Sequence, residues 1–463
     1  MPRITWISSR TDGPVTSRDR HSPRILGINP WIYDFAAYNL WSRPVGLLAC
    51  LEMLRRTGCT VSLLDCLDGS WSNVPWPEPS PDGSGRLPKI EVPKPLQLEH
   101  VPRRFSRYGL PMHTVRETLT DLDPPPDLVV ITTLMTYWYP GARAASELVR
   151  TIWPDTSVVL GGVYATACPE HAESLDSFDL ILSGPLEAEE NWRSLWRLLK
   201  SEPPPLPEDA GLTFFRQGYP SPQYSFLLAS RGCPLSCTYC ASGILYPGLA
   251  RRDPENVIDE AARDWQRGAR DFAFFDDALL LAPQPWLEEL LACLPARLPG
   301  VRLHAPNALH VRALDSRTCQ LLKAAGLSTI RLGLETANFA SRPDSKLSRE
   351  EWDAGLRNLF AAGFNRRQIG AYILFGLPGQ DFNDVHQAAA FAWSYGIQPH
   401  VAEYSPIPGS GLFSEAERCS DYPLSEEPLF QNSSVWPCVP GGFSWSARQH
   451  LRSVLSSARP KGG

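Results

Sequence analysis

Arg231-Gly232-Cys233-Pro234-Leu235-Ser236-Cys237-Thr238-Tyr239-Cys240 is the stretch on which the fold turns. It follows directly on an apolar run over 224–230 that reads as a buried strand, so three cysteines share one loop at a strand's end. Downstream the same unit recurs. Strands are expected over 271–276, 302–306, 329–335, 368–376 and 399–405, with helical periodicity between them over 254–267, 285–294, 316–325, 348–362 and 382–395. Six βα units in one direction curl into a partial (β/α)6 TIM-type barrel, whose chemistry belongs at the carboxyl ends of its strands.

Upstream, an apolar run over 24–30 is stopped by Asn29-Pro30, a helical pattern runs over 45–56 behind Pro44, and a strand follows over 60–65. A βαβ unit of this kind needs a parallel sheet. Strands over 128–134, 157–161 and 180–183, with helices over 141–152, 170–175 and 187–199, extend it to a doubly wound, Rossmann-like α/β domain. Residues 69–126, rich in Pro, Ser and Gly, read as a long insertion that covers or connects. Pro203-Pro204-Pro205-Leu206-Pro207 reads as a stiff linker. The expected division is 1–210, 220–412 and a short irregular tail over 413–463.

The remaining composition narrows the class. At 463 residues the chain has room for two or three cores. The 44 basic and 50 acidic residues leave a net charge of −6 without charged blocks, so an extended nucleic-acid surface is not expected. No run approaches the ~20 apolar residues of a membrane helix, and Met1 to Arg20 lacks the apolar core of a secretion signal. Eleven cysteines, an odd number in a long chain, argue against a disulfide-stapled scaffold; the expected compartment is a reducing cytoplasm. Eight of them are scattered and suit buried thiols; Cys438 could be a packing thiol or a hydrogen donor.

Spacings of three and two residues let Cys233, Cys237 and Cys240 converge on one inorganic centre. A closed cluster or a structural zinc site wants four ligands, and no fourth Cys or His lies near. A cubane with one open iron, a zinc site and unrelated thiols all remain possible readings of the spacing.

The loop together with the strand ends resembles the radical S-adenosylmethionine superfamily, and within it the members that carry a cobalamin (B12)-binding domain ahead of the barrel. The resemblance rests on Cys-x-x-x-Cys-x-x-Cys with Tyr239 before the last cysteine, on Phe274-Phe275-Asp276-Asp277, Pro306-Asn307, Gly333-Leu334-Glu335-Thr336, Phe375-Gly376-Leu377-Pro378-Gly379 and Ser405-Pro406-Ile407-Pro408-Gly409. It implies a 4Fe-4S cluster on Cys233, Cys237 and Cys240, whose open iron chelates S-adenosylmethionine. Reductive cleavage would then give a 5′-deoxyadenosyl radical. It also implies contacts from Tyr239 to the adenine, from Asp276 or Asp277 to the methionyl ammonium, and from Asn307 and Glu335 to the ribose or methionyl group. Backbone from Leu374 to Gly376 would flank the adenine.

For cobalamin, the Asp-x-His-x-x-Gly motif that supplies a histidine to cobalt is missing. The candidate contacts are Thr133, within Thr132-Thr133-Leu134, and Gly161 and Gly162, whose bare backbones would admit the nucleotide tail. The aromatic segments 31–41 and 136–139 either face the corrin or fill a core, the former being the leading expectation. The leading function is thus a radical enzyme with cobalamin-dependent C-methylation as its reaction. A rearrangement or cyclisation without cobalamin, and a metal-stabilised binding module without turnover, are the alternatives. Expected partners are a small-molecule or peptide substrate and a reductant such as flavodoxin or ferredoxin, with neither nucleic acid nor membrane. The sequence itself singles out no catalytic side chain beyond the cofactor contacts.

Overall fold

A computed structural model describes residues 4–8, 22–71, 74–340, 342, 344 and 346–460; most of the 1–20 segment lies outside them. In the first half, β1 (Arg24–Asn29), β2 (Thr60–Asp65), β3 (Leu128–Ile131), β4 (Ser157–Leu160) and β5 (Leu180–Ile181) form one parallel sheet in the order β5-β4-β3-β1-β2. Its helices are α1 (Val45–Arg56), α2 (Met112–Thr120), α3 (Tyr139–Ile152), α4 (Pro169–Ser174) and α5 (Glu189–Leu198). The strands are almost wholly apolar because both faces are covered. The chain leaves β1 towards β2 and returns on its other side to β3. The switch point therefore lies between the carboxyl ends of β1 and β3, where open α/β sheets take ligands.

The second sheet is the expected partial barrel. Strands β6 (Tyr224–Leu227), β7 (Asp271–Phe274), β8 (Arg302–Leu309), β9 (Leu327–Glu335), β10 (Ile369–Phe375) and β11 (Gln398–Glu403) lie side by side in chain order, all parallel. Between them run α6 (Pro254–Gln266), α7 (Gln284–Arg297), α8 (Ser316–Ala324), α9 (Arg349–Ala361) and α10 (Phe382–Ser394). Their starts are written locally. Asp253 and Asp315 accept first-turn amides, and Ser348–Glu351 and Asp381–Asp384 form reciprocal capping boxes.

Two expectations are corrected. Residues 69–126 are not plain covering loop: Ser106–Tyr108 pairs on one side with Ile32–Asp34 and on the other with Lys89–Glu91 in a small antiparallel sheet, and α2 follows. The strands are only three residues long, too short to show alternation. The tail is not irregular throughout either, since it contains α11 (Phe413–Cys419) and α12 (Trp445–Ser457). Only Leu451 of α12 is buried, so it carries no apolar stripe to read.

One apolar core runs from Leu26 and Val129 in the first sheet through Leu303 and Ile373 in the barrel to Trp436 and Leu451 in the tail. Polar ties reinforce the joint. The buried Asp34 accepts hydrogen bonds from Trp138 Nε1 (2.7 Å) and from Asn432 Nδ2 (2.9 Å) in the tail. The proline linker is held by Trp192 Nε1, which donates to the Pro204 carbonyl at 2.8 Å.

Candidate active site at the barrel mouth

The cysteine loop is fixed from several sides. At its start, Arg231 pairs with Glu187 of the first domain at 2.7 Å and lies over the Tyr246 ring. Gly232 has φ +85°, and a Cβ there would stand 2.7 Å from the Tyr246 carbonyl and closer still to that of Gly248. A side chain is thus excluded both by conformation and by backbone contact. The Cys240 amide donates to the Cys237 carbonyl at 3.1 Å, closing the Cys-x-x-Cys turn. The tail grips the loop's middle: the Leu412 amide donates to the Thr238 carbonyl at 2.8 Å.

All three cysteines are free thiols of intermediate exposure. Burial pushes the Cys233 and Cys237 thiols above their ordinary pKa, while the Lys346 ammonium pulls Cys237 back down. Among the described residues no three His, Cys, Asp or Glu side chains stand close enough to share a single ion. Ligands on the corners of a cubane, each bonded to its own iron, stand farther apart than the ligands of one ion. Three part-exposed thiols on one loop suit such a cubane.

The two aspartates after β7 part company. Asp276 is buried and accepts hydrogen bonds from Ala229 N (3.1 Å), Ser230 N and Ser230 Oγ (2.6 Å). Burial raises its pKa to about 6. Its oxygens brace the entry to the cysteine loop, so of the two aspartates expected at the methionyl ammonium it is the one already engaged by protein donors. Asp277 is only part-buried, accepts from Ser242 and feels the Cys233 thiol, so it faces the loop.

Strand irregularities aim the next groups. Between β8 and β9 the register slips from Ala305↔Ile330 to Leu309↔Leu332, which throws Asn307 out of the ladder. Its Nδ2 donates to the Phe275 carbonyl at 3.0 Å, beside Asp276. Between β9 and β10 a second slip after Gly333 leaves Glu335 at φ +61°, a left-handed conformation uncommon outside glycine. Glu335 is buried and accepts from Lys346 Nζ at 2.6 Å.

Lys346 belongs to a group that the sequence reading missed. Arg342 and Asp344 form a pair at 3.1 Å whose side chains are 2% and 1% exposed. Arg342 also donates to the Leu334 (2.9 Å) and Thr336 (3.2 Å) carbonyls, clamping the bend on which Glu335 sits. Tyr239 donates to Asp344 at 3.1 Å, and Lys346 Nζ stands 5.6 Å from the centre of its ring. Burial would raise the Asp344 carboxyl, but Arg342 overrides it and leaves the pKa lowered. The available signal was Arg-x-Asp-x-Lys right behind a strand end, three charges on alternate positions.

At the fifth strand end, Gly376 has φ +85°, as the turn requires. Gln380 spans the turn: its Oε1 accepts from Gly376 N at 2.8 Å and its Nε2 donates to the Leu374 carbonyl at 2.9 Å. The Gly376 amide and the Leu374 carbonyl are thereby occupied.

In the first domain, Thr133 and Gly162 meet each other. A Cβ on Gly162 (φ +89°) would lie 2.6 Å from the Thr133 carbonyl and 2.5 Å from Thr132 Oγ1, and Thr133 Oγ1 accepts from Tyr164 N at 3.2 Å. Gly162 is therefore needed for packing within the domain, while Gly161 borders open space. The cavity at the switch point, lined by Asn29, Trp31, Thr132, Thr133 and Trp138, measures about 10 Å3, room for one water. A nucleotide tail would have to displace Trp31 or Trp138. Several rings of the aromatic segments serve as core: Trp31 donates to the Leu110 carbonyl at 2.6 Å, Tyr137 is buried, and Trp41 stacks on His304 at 4.2 Å, whereas Trp138 lines the switch-point cavity and Tyr38 is exposed.

Residues 227–392 match the model of the Radical SAM superfamily. An uncharacterised methyltransferase of Pyrococcus horikoshii is 21% identical over 63% of this chain and 69% of its own length. The bacteriochlorophyllide d C-12(1)-methyltransferase of Chlorobaculum tepidum is 26% identical over 41% and 42%. Among solved structures, the radical S-adenosylmethionine methyltransferase TsrM of Kitasatospora setae aligns with a TM-score of 0.63 at 16% identity, over 86% of this chain and 76% of that one. That structure holds tryptophan and an analogue of S-adenosylmethionine. A second TsrM structure, with cobalamin and a [4Fe-4S] cluster, gives 0.61 over 87% and 76%. The likeness therefore spans the doubly wound domain as well as the barrel. Among the described residues no helix is long and apolar enough to cross a membrane.

Proposed function

We propose, because residues 227–392 match the model of the Radical SAM superfamily, that this chain is a cobalamin-dependent radical S-adenosylmethionine methyltransferase that methylates carbon. The observation that carries the reading is the Cys233–Cys240 loop, which includes Tyr239 and is braced by Asp276, with Asp277, Asn307 and Glu335 at the successive strand ends. When bound, the cluster supplies the electron that opens a sulfonium carbon–sulfur bond, and cobalamin supplies a methyl carrier.

The residues divide the work. Cys233, Cys237 and Cys240 hold the cluster. Asp277 takes the methionyl ammonium, Asn307 and Glu335 the ribose or methionyl carboxylate side, and Tyr239 with the Leu374–Gly376 turn lies along the adenine. The Glu335–Lys346 pair gives this face both signs of charge, suited to a zwitterionic methionyl group. Thr133, Gly161 and Gly162 border the switch-point crevice, which would receive cobalamin's tail after the tryptophans move. In this reading 1–210 carries cobalamin, 220–412 the cluster and S-adenosylmethionine, and 413–463 closes the mouth. The substrate is a small molecule or peptide, the electron donor a flavodoxin or ferredoxin, and the compartment the cytoplasm.

The test is anaerobic reconstitution with cobalamin and S-adenosylmethionine carrying a labelled methyl group. Cobalt co-eluting with the protein, and label on the cobalamin, support the proposal. Iron without cobalt retention would move the reading to a radical enzyme of another outcome.

A further inference from the structure

The inner face of the barrel carries a basic cluster that the cofactor contacts do not use. Successive residues of a strand point to opposite faces. In β10, the Phe375 ring lies 5.6 Å from that of Phe382 in α10, so Gly370 and Tyr372 belong to the face turned away from the helices. The registers Arg331↔Gly370 and Tyr372↔His400 put Arg331 and His400 on that same face. The alternating Ile330, Leu332 and Ile373 are buried, whereas Arg331, Tyr372 and His400 are part-exposed. A Cβ on Gly370 would stand 2.6 Å from His400 Nε2 and 3.2 Å from Arg331 Cδ, so both side chains pass over this one bare position. The Tyr372 ring centre is 6.2 Å from that of His400, and its hydroxyl donates to the Pro306 carbonyl at 2.9 Å, next to Asn307.

Arg331 donates one N–H to the Ile330 carbonyl at 3.1 Å and has no carboxylate partner among the described residues. The carboxylates of Asp271 and Glu335 are taken, the first by Arg302 (2.7 Å) and His304 (3.0 Å), the second by Lys346 (2.6 Å). Neither His400 ring nitrogen has a hydrogen-bond partner among the described residues. Burial lowers the Arg331 pKa and only Tyr372 opposes it, yet a guanidinium keeps its charge. A half-sealed cation without a counter-ion, beside a free imidazole, suits an anion, and its single charge and planar fork match a carboxylate better than a doubly charged phosphate. We propose that Arg331, His400 and Tyr372 form a subsite for the carboxylate of an organic acid on the barrel's inner face, and that this acid is the methyl acceptor. Arg331 pairs with the carboxylate through its free N–H groups, His400 donates one N–H, and the Tyr372 ring walls the site. Calling the acid the acceptor rests on the methyltransferase reading; the carboxylate site does not.

The experiment uses the full-length, anaerobically reconstituted protein with S-adenosylmethionine, probed by saturation-transfer nuclear magnetic resonance with benzoate and with its neutral counterpart benzamide. The expected result is saturable binding of benzoate and none of benzamide. In Arg331→Met the benzoate affinity should fall roughly tenfold or more, while S-adenosylmethionine binding stays within a few-fold of wild type. A second arm needs no variant: benzoate should slow phenylglyoxal modification of Arg331 several-fold, read by peptide mass spectrometry. Equal binding of benzoate and benzamide, no binding of benzoate, no protection of Arg331, or an Arg331→Met chain that keeps benzoate but loses S-adenosylmethionine would each overturn the proposal. Protection of Arg331 in a protein that puts no methyl label on cobalamin would uphold the carboxylate site and overturn its acceptor role.

Discussion

Asp276 and Asp277 are neighbours with opposite duties, and exchanging each for alanine separates them. In Asp276→Ala, the Ala229 and Ser230 amides and the Ser230 hydroxyl lose their acceptor. A buried donor left without a partner costs about 1–3 kcal/mol, so three cost roughly 3–9 kcal/mol if none finds a substitute. Against this stands the relief of no longer burying a carboxylate whose pKa has been raised to about 6. Relative to the ordinary aspartate value of 3.8 that shift is worth about 3 kcal/mol at neutral pH. The net loss of global stability is then at most about 6 kcal/mol, and the loss falls on the turn entering the cysteine loop. Asp276→Ala should melt several degrees lower and retain less iron, while the holo fraction keeps its affinity for S-adenosylmethionine within a few-fold. Asp277→Ala, part-exposed, should melt within a degree or two of wild type and hold its iron. Losing a hydrogen bond to a charged group, about 1.5–3 kcal/mol, should weaken its S-adenosylmethionine binding 10- to 100-fold. Differential scanning fluorimetry, iron assay and equilibrium binding read the three quantities. Unchanged melting and iron in Asp276→Ala with abolished binding would refute the division of labour.

Gly232→Ala combines a disfavoured φ of +85° with a collision against two backbone carbonyls, and should fail to retain iron although the barrel's far-ultraviolet circular dichroism persists. Lys346→Met leaves Glu335 buried without its cation; a loss of about 3 kcal/mol or more in urea unfolding is expected, and Glu335→Gln in the same chain should recover part of it. Burial, with Arg331 adding to it, lowers the His400 pKa to about 4, so the folded chain binds fewer protons than the unfolded one between pH 6.5 and 4. Stability should therefore fall as pH drops through that window, by about 1–2 kcal/mol from this partly exposed group after discounting the full shift of roughly 3 kcal/mol. His400→Gln should flatten that slope, measured by urea midpoints at each pH.

Much of the barrel was legible because its signals are local. Each helix start carries its own cap, as at Asp253 or Ser348, and each strand is bounded by turn residues. The cysteine loop and strand-end motifs were equally visible, since they depend on spacing alone. What escaped depends on neighbours distant in sequence. Asp276 and Asp277 are alike in composition, and only the strand's orientation decides which one turns back onto Ala229. Gly162 invited a ligand on paper, yet the space over it belongs to Thr132 and Thr133. Arg342 and Asp344 are charges in a loop, where solvent is the default, and they are nearly sealed because they clamp the Glu335 bend. Helix α12 escaped because its single buried leucine gives no period.

Electron paramagnetic resonance of the reduced, anaerobically reconstituted protein tests the central claim most directly. An iron–sulfur signal that shifts when S-adenosylmethionine is added, and that disappears together with the bound iron in each of Cys233→Ala, Cys237→Ala and Cys240→Ala, is the expected result. A variant that keeps both its iron and the shift would contradict it.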